Sequence, residues 1–337
     1  MELTYQQIQS VTCGAVRYTV EEDGIIFHRF TQAQHEMYQK KDEAFFDKSK
    51  TSSGIKLCFH TDCSRLYINS TVRTSRSRTY FSFDVFADDV LVGYMDNFSD
   101  SEIPRDYSDI RFPDGNFGKS FDLGAGIKTV TVHLPWTKIT KLHCLRLEDG
   151  TFWEPVKPDK KMLVFGDSIS VGFDALRPSA RQVARIAKRL NAEEFNKCIG
   201  GERYCPDLAE LPESFVPDYI YVAYGTNDWS STTPETFYRN SRKFFENLDK
   251  NYPGVQTFVI TPIWRVNYQM DRPFSSFLEI DDAIHKLLST RPNTTVISGF
   301  DLVPHSVEYF GDYGLHPNMA GHDHYFDNMW KEIQKAL

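Results

Sequence analysis

Long apolar runs are missing from this sequence: none approaches the roughly 20 residues that a membrane helix needs. The opening MELTYQQIQS also lacks the basic patch and apolar stretch of a secretory signal, so no membrane partner and a cytoplasmic location are expected. A surplus of positive charge is missing too. Lys and Arg number 38 against 46 Asp and Glu, a formal net charge of -8, which speaks against nucleic acid as a partner because phosphate-backbone affinity needs a basic surface. Cysteine is sparse, with six in 337 residues and no CxxC pair. Cys58 and Cys63 bracket His60, but no local group completes a tetrahedral ligand set, so free thiols and no metal are expected. Internal repeats and low-complexity segments are absent as well. What remains, 41% hydrophobic and 25% charged residues, suits a globular protein with a sizeable core, and the length suits about two domains.

Two halves differ in periodicity. Up to residue 155 the apolar residues fall in short alternating runs, at 15–20, 24–30, 55–60, 65–72, 80–86, 90–94, 127–134 and 142–147, rich in Val, Ile, Tyr, Phe and Thr. Turn residues such as Thr51-Ser52-Ser53-Gly54, Asp88-Asp89 and Glu148-Asp149-Gly150 separate them. Many short strands without helices predict an all-β sandwich of jelly-roll type over 1–155, with long loops at 32–50 and 97–118. From 156 to 337, strand-like runs at 162–165, 194–196, 219–223, 257–261 and 295–298 alternate with helical faces. Val183, Ile186 and Leu190 share one such face; Phe237, Phe244, Phe245 and Leu248 share another, after a Thr233-Pro234 start. Phe277, Ile280, Ile284, Leu287 and Leu288 mark a third, and Phe326, Met329, Trp330 and Ile333 the last. This alternation predicts an α/β domain with a parallel sheet, whose ligands bind at the carboxyl ends of the strands.

Chemistry-bearing residues recur at those ends. The first strand of the second half runs into Gly166-Asp167-Ser168-Ile169-Ser170, which holds a hydroxyl at the sheet edge where a helix start supplies unpaired N–H groups. The second strand leads to Asn196-Lys197-Cys198-Ile199-Gly200-Gly201, and a glycine pair opens a backbone amide to close approach. The third is followed by Gly225-Thr226-Asn227-Asp228, where the Asn227 amide can donate to an oxyanion. Near the end stands Gly314-Leu315-His316-Pro317-Asn318, whose histidine can serve as the general base that serine chemistry requires. Each block alone is weak: a turn serine, an Asn-Asp turn and a loop histidine are ordinary. Their order, one per strand end, is not.

In these four blocks the sequence resembles the SGNH, or GDSL-type, hydrolases, over residues from about 160 to the end. The resemblance implies a flavodoxin-like three-layer fold with Ser168 as nucleophile. It implies an oxyanion hole of the Ser168 N–H, the Gly201 N–H and the Asn227 side chain, with His316 as base and no cofactor. One position departs from the family, which mostly has an acid three residues before the histidine. Here that position is Tyr313 and the nearest acid, Asp312, is four before. Either Asp312 reaches the imidazole through a one-residue bulge, or a backbone carbonyl orients it, as in the carbohydrate-esterase branch. The whole chain also resembles carbohydrate esterase family 2, which carries a jelly roll ahead of the hydrolase. Residues 83–93 look like that group's Asp-hydrophobic-Asp-turn-Val-Gly hairpin, and 128–136 like the strand that follows.

That likeness implies an enzyme, a serine esterase that deacetylates carbohydrate, and hence an acetylated carbohydrate as partner. Sugars stack on aromatic rings, so Trp264 and Trp229, with Asp167, are the candidate substrate contacts at the catalytic edge, and Trp153 is a third aromatic candidate. Arg181, Arg185, Lys188 and Arg189 read as a solvated helix face, and His322 and His324, two apart on a helix, do not share a face for a metal. Two other readings stand beside this one: a lipase or thioesterase for longer acyl chains, and a non-catalytic carbohydrate-binding protein.

Overall fold

The computed structural model describes residues 1–99 and 111–337. The first half contains α1 (Tyr5–Val11), β1 (Thr12–Cys13), β2 (Arg17–Glu21), β3 (Gly24–His28), α2 (Gln32–Lys41), α3 (Glu43–Ser49), β4 (Lys56–Thr61), β5 (Arg65–Thr74), β6 (Ser82–Ala87), β7 (Val90–Asp96), β8 (Gly115–Asp122), β9 (Lys128–His133), β10 (Lys138–Glu148) and β11 (Trp153–Pro155). Two antiparallel sheets result, ordered β1-β4-β9-β6-β7, with β11 also on β4, and β2-β3-β10-β5-β8. Strand β10 alternates buried and half-exposed residues, and its Leu142, Leu145 and Leu147 meet Leu57, Phe59, Val85 and Val132 of the other sheet. A sheet with one wet face gives this alternation, and two such faces closed on one another give the sandwich.

The second half adds β12 (Lys160–Gly166), α4 (Ser168–Val171), α5 (Gln182–Arg189), β13 (Ala192–Asn196), α6 (Pro206–Glu210), β14 (Tyr219–Ala223), α7 (Thr226–Ser231), α8 (Pro234–Asn251), β15 (Gln256–Ile260), α9 (Phe277–Leu288), β16 (Thr294–Ile297) and α10 (Met319–Ala336). Its five strands are parallel in the order β13-β12-β14-β15-β16. Successive residues of β12 face opposite cores: Met162 and Val164 lie with α5 and α10, Leu163 and Phe165 with α6, α8 and α9. A strand buried on both sides has no polar face, hence its unbroken apolar run. The order reverses at β12, so the carboxyl end of that strand is the crevice where ligands of such sheets bind.

Three expectations need correction. Residues 32–50 are two helices rather than a loop. Thr31 accepts from Gln34 N while the Gln34 side chain returns to Thr31 N, a capping box, and Asp42 caps α3. Helix α2 buries only Gln34 and Tyr38, so it has no apolar stripe to be read. Of the segment 97–118, residues 100–110 lie outside the described residues, and 115–118 open the edge strand β8, whose mostly exposed, Gly-containing sequence has little strand signal. Arg181 is not solvated: it precedes α5, is 1% exposed, and pairs with the buried Glu194 at 2.9 and 3.0 Å. Arg185 and Lys188 are at the surface as expected, and all six cysteines are free thiols.

The two halves share cores. Tyr80, Phe98 and Trp136 of the first half pack into the α5–α10 side of the parallel sheet, and Phe30 and Tyr38 into the other. Arg29, 1% exposed, bonds both: its Nε donates to Thr51 O at 2.8 Å, and its Nη1 to Asn196 O at 2.8 Å and Cys198 O at 3.0 Å. Arg29→Met orphans these buried carbonyls, each at a cost of about 1–3 kcal/mol. The variant is expected to lose at least about 3 kcal/mol, read as a lower midpoint in chemical denaturation.

Candidate active site

Strand β12 ends at Gly166, and Asp167 caps α4 by accepting from Ile169 N at 3.0 Å. Ser168 is therefore the first helical residue, 7% exposed, at the carboxyl edge of the sheet. The chain brings His316 to it on the loop before α10. His316 Nε2 is 2.8 Å from Ser168 Oγ, and His316 Nδ1 is 2.5 Å from Asp312 Oδ2. A ring that donates from Nδ1 to a carboxylate leaves Nε2 as acceptor for the serine hydroxyl. The ring of Phe173 lies against the imidazole, centroids 5.1 Å apart, with Trp136 behind it at 5.2 Å.

Of the two ways to orient His316, the geometry is that of the acid. Tyr313 adopts φ 62° and Gly314 φ 145°, so the loop folds back within two residues and takes up the extra one. Asp312 Oδ1 accepts from Leu315 N at 3.0 Å and His316 N at 2.9 Å, leaving Oδ2 for the ring. Burial opposes the charge on Asp312, but the bond to His316, the charge of that ring and the two N–H groups outweigh it and hold the carboxyl well below its ordinary range.

The glycine and amide blocks converge on the same place. A Cβ on Gly200 would lie 3.6 Å from Ser168 Cβ, and Gly201 needs its φ of +89°. Asn227 Nδ2 donates to Glu202 O at 3.0 Å and Asp167 Oδ2 at 3.3 Å, which pins the amide beside Gly201.

The proposed substrate contacts fare differently. Trp229 is fully buried, donates from Nε1 to Ser275 O at 3.0 Å and meets Phe277 edge-on, so no sugar can stack on it. Trp264 is 8% exposed and lies between His305, parallel at 5.6 Å, and Phe310. Asp167 is buried and occupied with holding Ile169 and Asn227. Trp153 lies in β11, packed against the sandwich core. His322 is buried with its Nε2 near Phe173 O, and His324 packs on Tyr309.

Sequence reasoning missed Arg78. From the connection between β5 and β6 it donates to both oxygens of the buried Asp174, at 2.7 and 3.2 Å, and its Nη2 lies 3.6 Å from Asp312 Oδ2. Asp174, Asp312 and His316 offer ligand atoms within 4.8 Å of one another, as a metal site would. The guanidinium already supplies a cation there, and the group is an ion-pair network. Lys48 of α3 was missed too; it donates to Gly200 O at 2.7 Å. The only sign of either in the sequence is a charge within a segment read as turn or loop.

Residues 164–324 match the GDSL-like lipase/acylhydrolase family. The second half is a GDSL-like hydrolase domain. No curated protein matches in sequence. Among solved structures, the chain is similar to the salicylyl-acyltransferase SsfX3 of a tetracycline biosynthetic pathway, with TM-score 0.79, 18% identity, and 96% of this chain and 94% of that chain covered. It is similar to a family two carbohydrate esterase from Cellvibrio japonicus (0.62, 16%, 97% and 95%) and to an acetyl xylan esterase from Butyrivibrio proteoclasticus (0.58, 16%, 95% and 98%). These likenesses span both halves, so the two-part layout is shared along with the GDSL-like domain.

Two outcomes test the electrostatics. Asp312→Asn is expected to reduce kcat/KM for an acetyl ester by roughly 10³- to 10⁴-fold, because an amide favours the wrong imidazole tautomer. Burial pushes Asp228 up to about 7, so its folded form holds a proton that the unfolded chain releases near pH 4. Its contribution is full below about pH 4 and is lost as the pH rises to about 7. Asp228→Asn is therefore expected to match the wild-type denaturation midpoint at the acid end and to exceed it progressively toward neutrality.

Proposed function

We propose that the protein is a serine esterase that removes O-acetyl groups from carbohydrate through an acyl-enzyme. The hydrogen-bonded chain from Ser168 through His316 to Asp312 carries this reading. Ser168 Oγ attacks the acetyl carbonyl while His316 Nε2 takes its proton. The tetrahedral oxyanion receives hydrogen bonds from the N–H groups of Ser168 and Gly201 and from Asn227 Nδ2, which gives up its long 3.3 Å bond to Asp167 Oδ2 to make this one and keeps the bond to Glu202 O. Collapse breaks the ester C–O bond, and His316 returns the proton to the departing sugar oxygen. Water, deprotonated by the same ring, then attacks acetyl-Ser168 and releases acetate. Asp312 remains a carboxylate throughout and stabilises the imidazolium that exists between attack and collapse in each of the two steps. All of this is ester hydrolysis by the chain's own residues. The carbohydrate part is supported by the likeness of both halves to a family two carbohydrate esterase and to an acetyl xylan esterase, and no longer by Trp229 or Trp264.

Ser168→Ala is expected to lower acetate release from p-nitrophenyl acetate and acetylated xylan at least about 10⁴-fold, and Asn227→Ala about 10²- to 10³-fold. Wild-type rates on p-nitrophenyl esters should fall from acetate to butyrate to octanoate. A rise with chain length would overturn the acetyl assignment in favour of a lipase or thioesterase, and full activity in Ser168→Ala would overturn the mechanism.

A further inference from the structure

Two arginines at the catalytic edge make no ion pair among the described residues. Arg265 follows Trp264 in the loop after β15, and Arg272 stands further along the same loop. Both guanidiniums lie against the indole of Trp229, 5.0 and 5.6 Å from its centroid. Arg265 is only 8% exposed; its Nε donates to Asn267 Oδ1 at 2.6 Å and its Nη1 to Thr226 O at 3.5 Å. Arg272 reaches Met270 Sδ with Nη2, and its Nε is buried without a hydrogen-bond partner.

Their place in the fold is specific. Thr226, which accepts from Arg265, immediately precedes Asn227, and Val266 N donates to Gly314 O, two residues before His316. Arg265 is thus fixed between the amide block and the histidine loop, the two walls of the reacting centre. The acids whose charge it feels there are Asp167 and Asp312, and both are committed, one to Ile169 N and Asn227, the other to His316. Two like charges sharing one indole and lacking a carboxylate are electrostatically unbalanced. The ring's electron-rich face attracts each cation but neutralises neither. A guanidinium presents a planar fork of donors that fits a carboxylate or phosphate with two parallel hydrogen bonds.

We propose that Arg265 and Arg272 bind an anionic group carried by the substrate sugar, a carboxylate or a phosphate ester, so that the preferred substrate is an acetylated acidic carbohydrate. This rests on the carbohydrate-esterase reading and deepens it. An anion held by Arg265 lies beside the ester that Ser168 attacks, so its binding energy positions the acetyl group as well as retaining the sugar.

The test compares an acetylated methyl glucuronide as free acid, the same sugar as its uncharged methyl ester, and an acetylated sugar phosphate. The free acid or the phosphate should exceed the methyl ester in kcat/KM by about tenfold at low salt, with the advantage shrinking as salt rises. Which of the two gains more distinguishes carboxylate from phosphate. Arg265→Gln and Arg272→Gln should each reduce the ratio of charged to uncharged rates several-fold, and Arg272→Lys should restore part of it. Because a ratio is read, a general loss of activity does not mimic the effect; should Arg265→Gln fail to fold, the half-exposed Arg272 supplies the same measurement. A methyl ester turned over as fast as both the acid and the phosphate, or a preference unchanged in both variants, would overturn the proposal. Hydrolysis of p-nitrophenyl acetate with no sugar ester turned over would instead sink the carbohydrate reading. The anion site is then judged by inhibition of that hydrolysis: glucuronate or inorganic phosphate inhibiting more than glucose, and less in Arg272→Gln, upholds it, and no such difference refutes it.

Discussion

An imidazole can take a proton from a serine only if its other nitrogen already carries one, and the catalytic edge of this protein is organised around that demand on His316. Three features meet it together. Asp312 receives Nδ1, Phe173 holds the plane of the ring, and the 2.8 Å contact to Ser168 leaves Nε2 no other direction. The acid is fixed in turn from behind by two backbone N–H groups and from the side by Arg78. A carboxylate so held has little freedom to rotate away when the imidazole becomes cationic, which is the moment at which its charge matters. Arg78 pairs with Asp174 and stands 3.6 Å from Asp312, so the two acids nearest the imidazole share one cation.

That arrangement makes the sandwich part of the hydrolase edge. Arg78 comes from the link between two sandwich strands, Lys48 from a helix inserted between β3 and β4, and Arg29 from the end of β3. Arg29 fixes the backbone of Asn196 and Cys198, and Lys48 that of Gly200; together they set the course of the chain up to Gly201. A glycine-rich segment has no side chains with which to hold itself in place, and here the holding is done from outside by cations on carbonyl oxygens, the buried Arg29 and the half-buried Lys48. Detaching the first half would free the glycine loop and the acid of the triad alike. The change of composition near residue 156 marks where the sheets change, while the packing that supports the site runs across it.

Much of this was legible in the sequence, for physical reasons that also explain the rest. Parallel strands buried on both faces write continuous apolar runs, and their carboxyl ends are where chemistry has to sit, so Ser168, Gly201, Asn227 and His316 could be picked out by position in a pattern. The Asp312 question could not be settled by spacing, because it turned on Tyr313 accepting a left-handed conformation that glycine and asparagine adopt far more readily. Helix α2 was hidden because it is held by a capping box and two buried residues instead of an apolar face. Arg181, Arg78 and Lys48 were hidden because a charged side chain looks the same in sequence whether it meets water or a buried partner. Trp229 and Trp264 failed as sugar platforms for the converse reason: lying close to an edge in sequence says nothing about which way a ring faces.

The least expected property of the site is the acidity packed beneath it. Burial pushes Asp167 up to about 6 and raises Glu202 too, although Glu202 accepts from the hydroxyls of Tyr38 and Tyr224; Asp228 is a third buried acid close by. Desolvation is the leading cause in each, and it acts in favour of catalysis. An ionised carboxylate beneath Gly201 and Asn227 would repel the oxyanion that those donors are placed to bind. A protonated one carries no such charge, and Glu202 O holds the Asn227 amide by one N–H while the other is free to turn from Asp167 Oδ2 to the oxyanion. Burial therefore does two things at once: it disfavours negative charge on these acids where the transition state develops its own, and it lowers the local dielectric so that the donors act more strongly. Tyr38, from the helix the sequence did not reveal, belongs to that layer, so the floor of the site is again built by both halves of the chain.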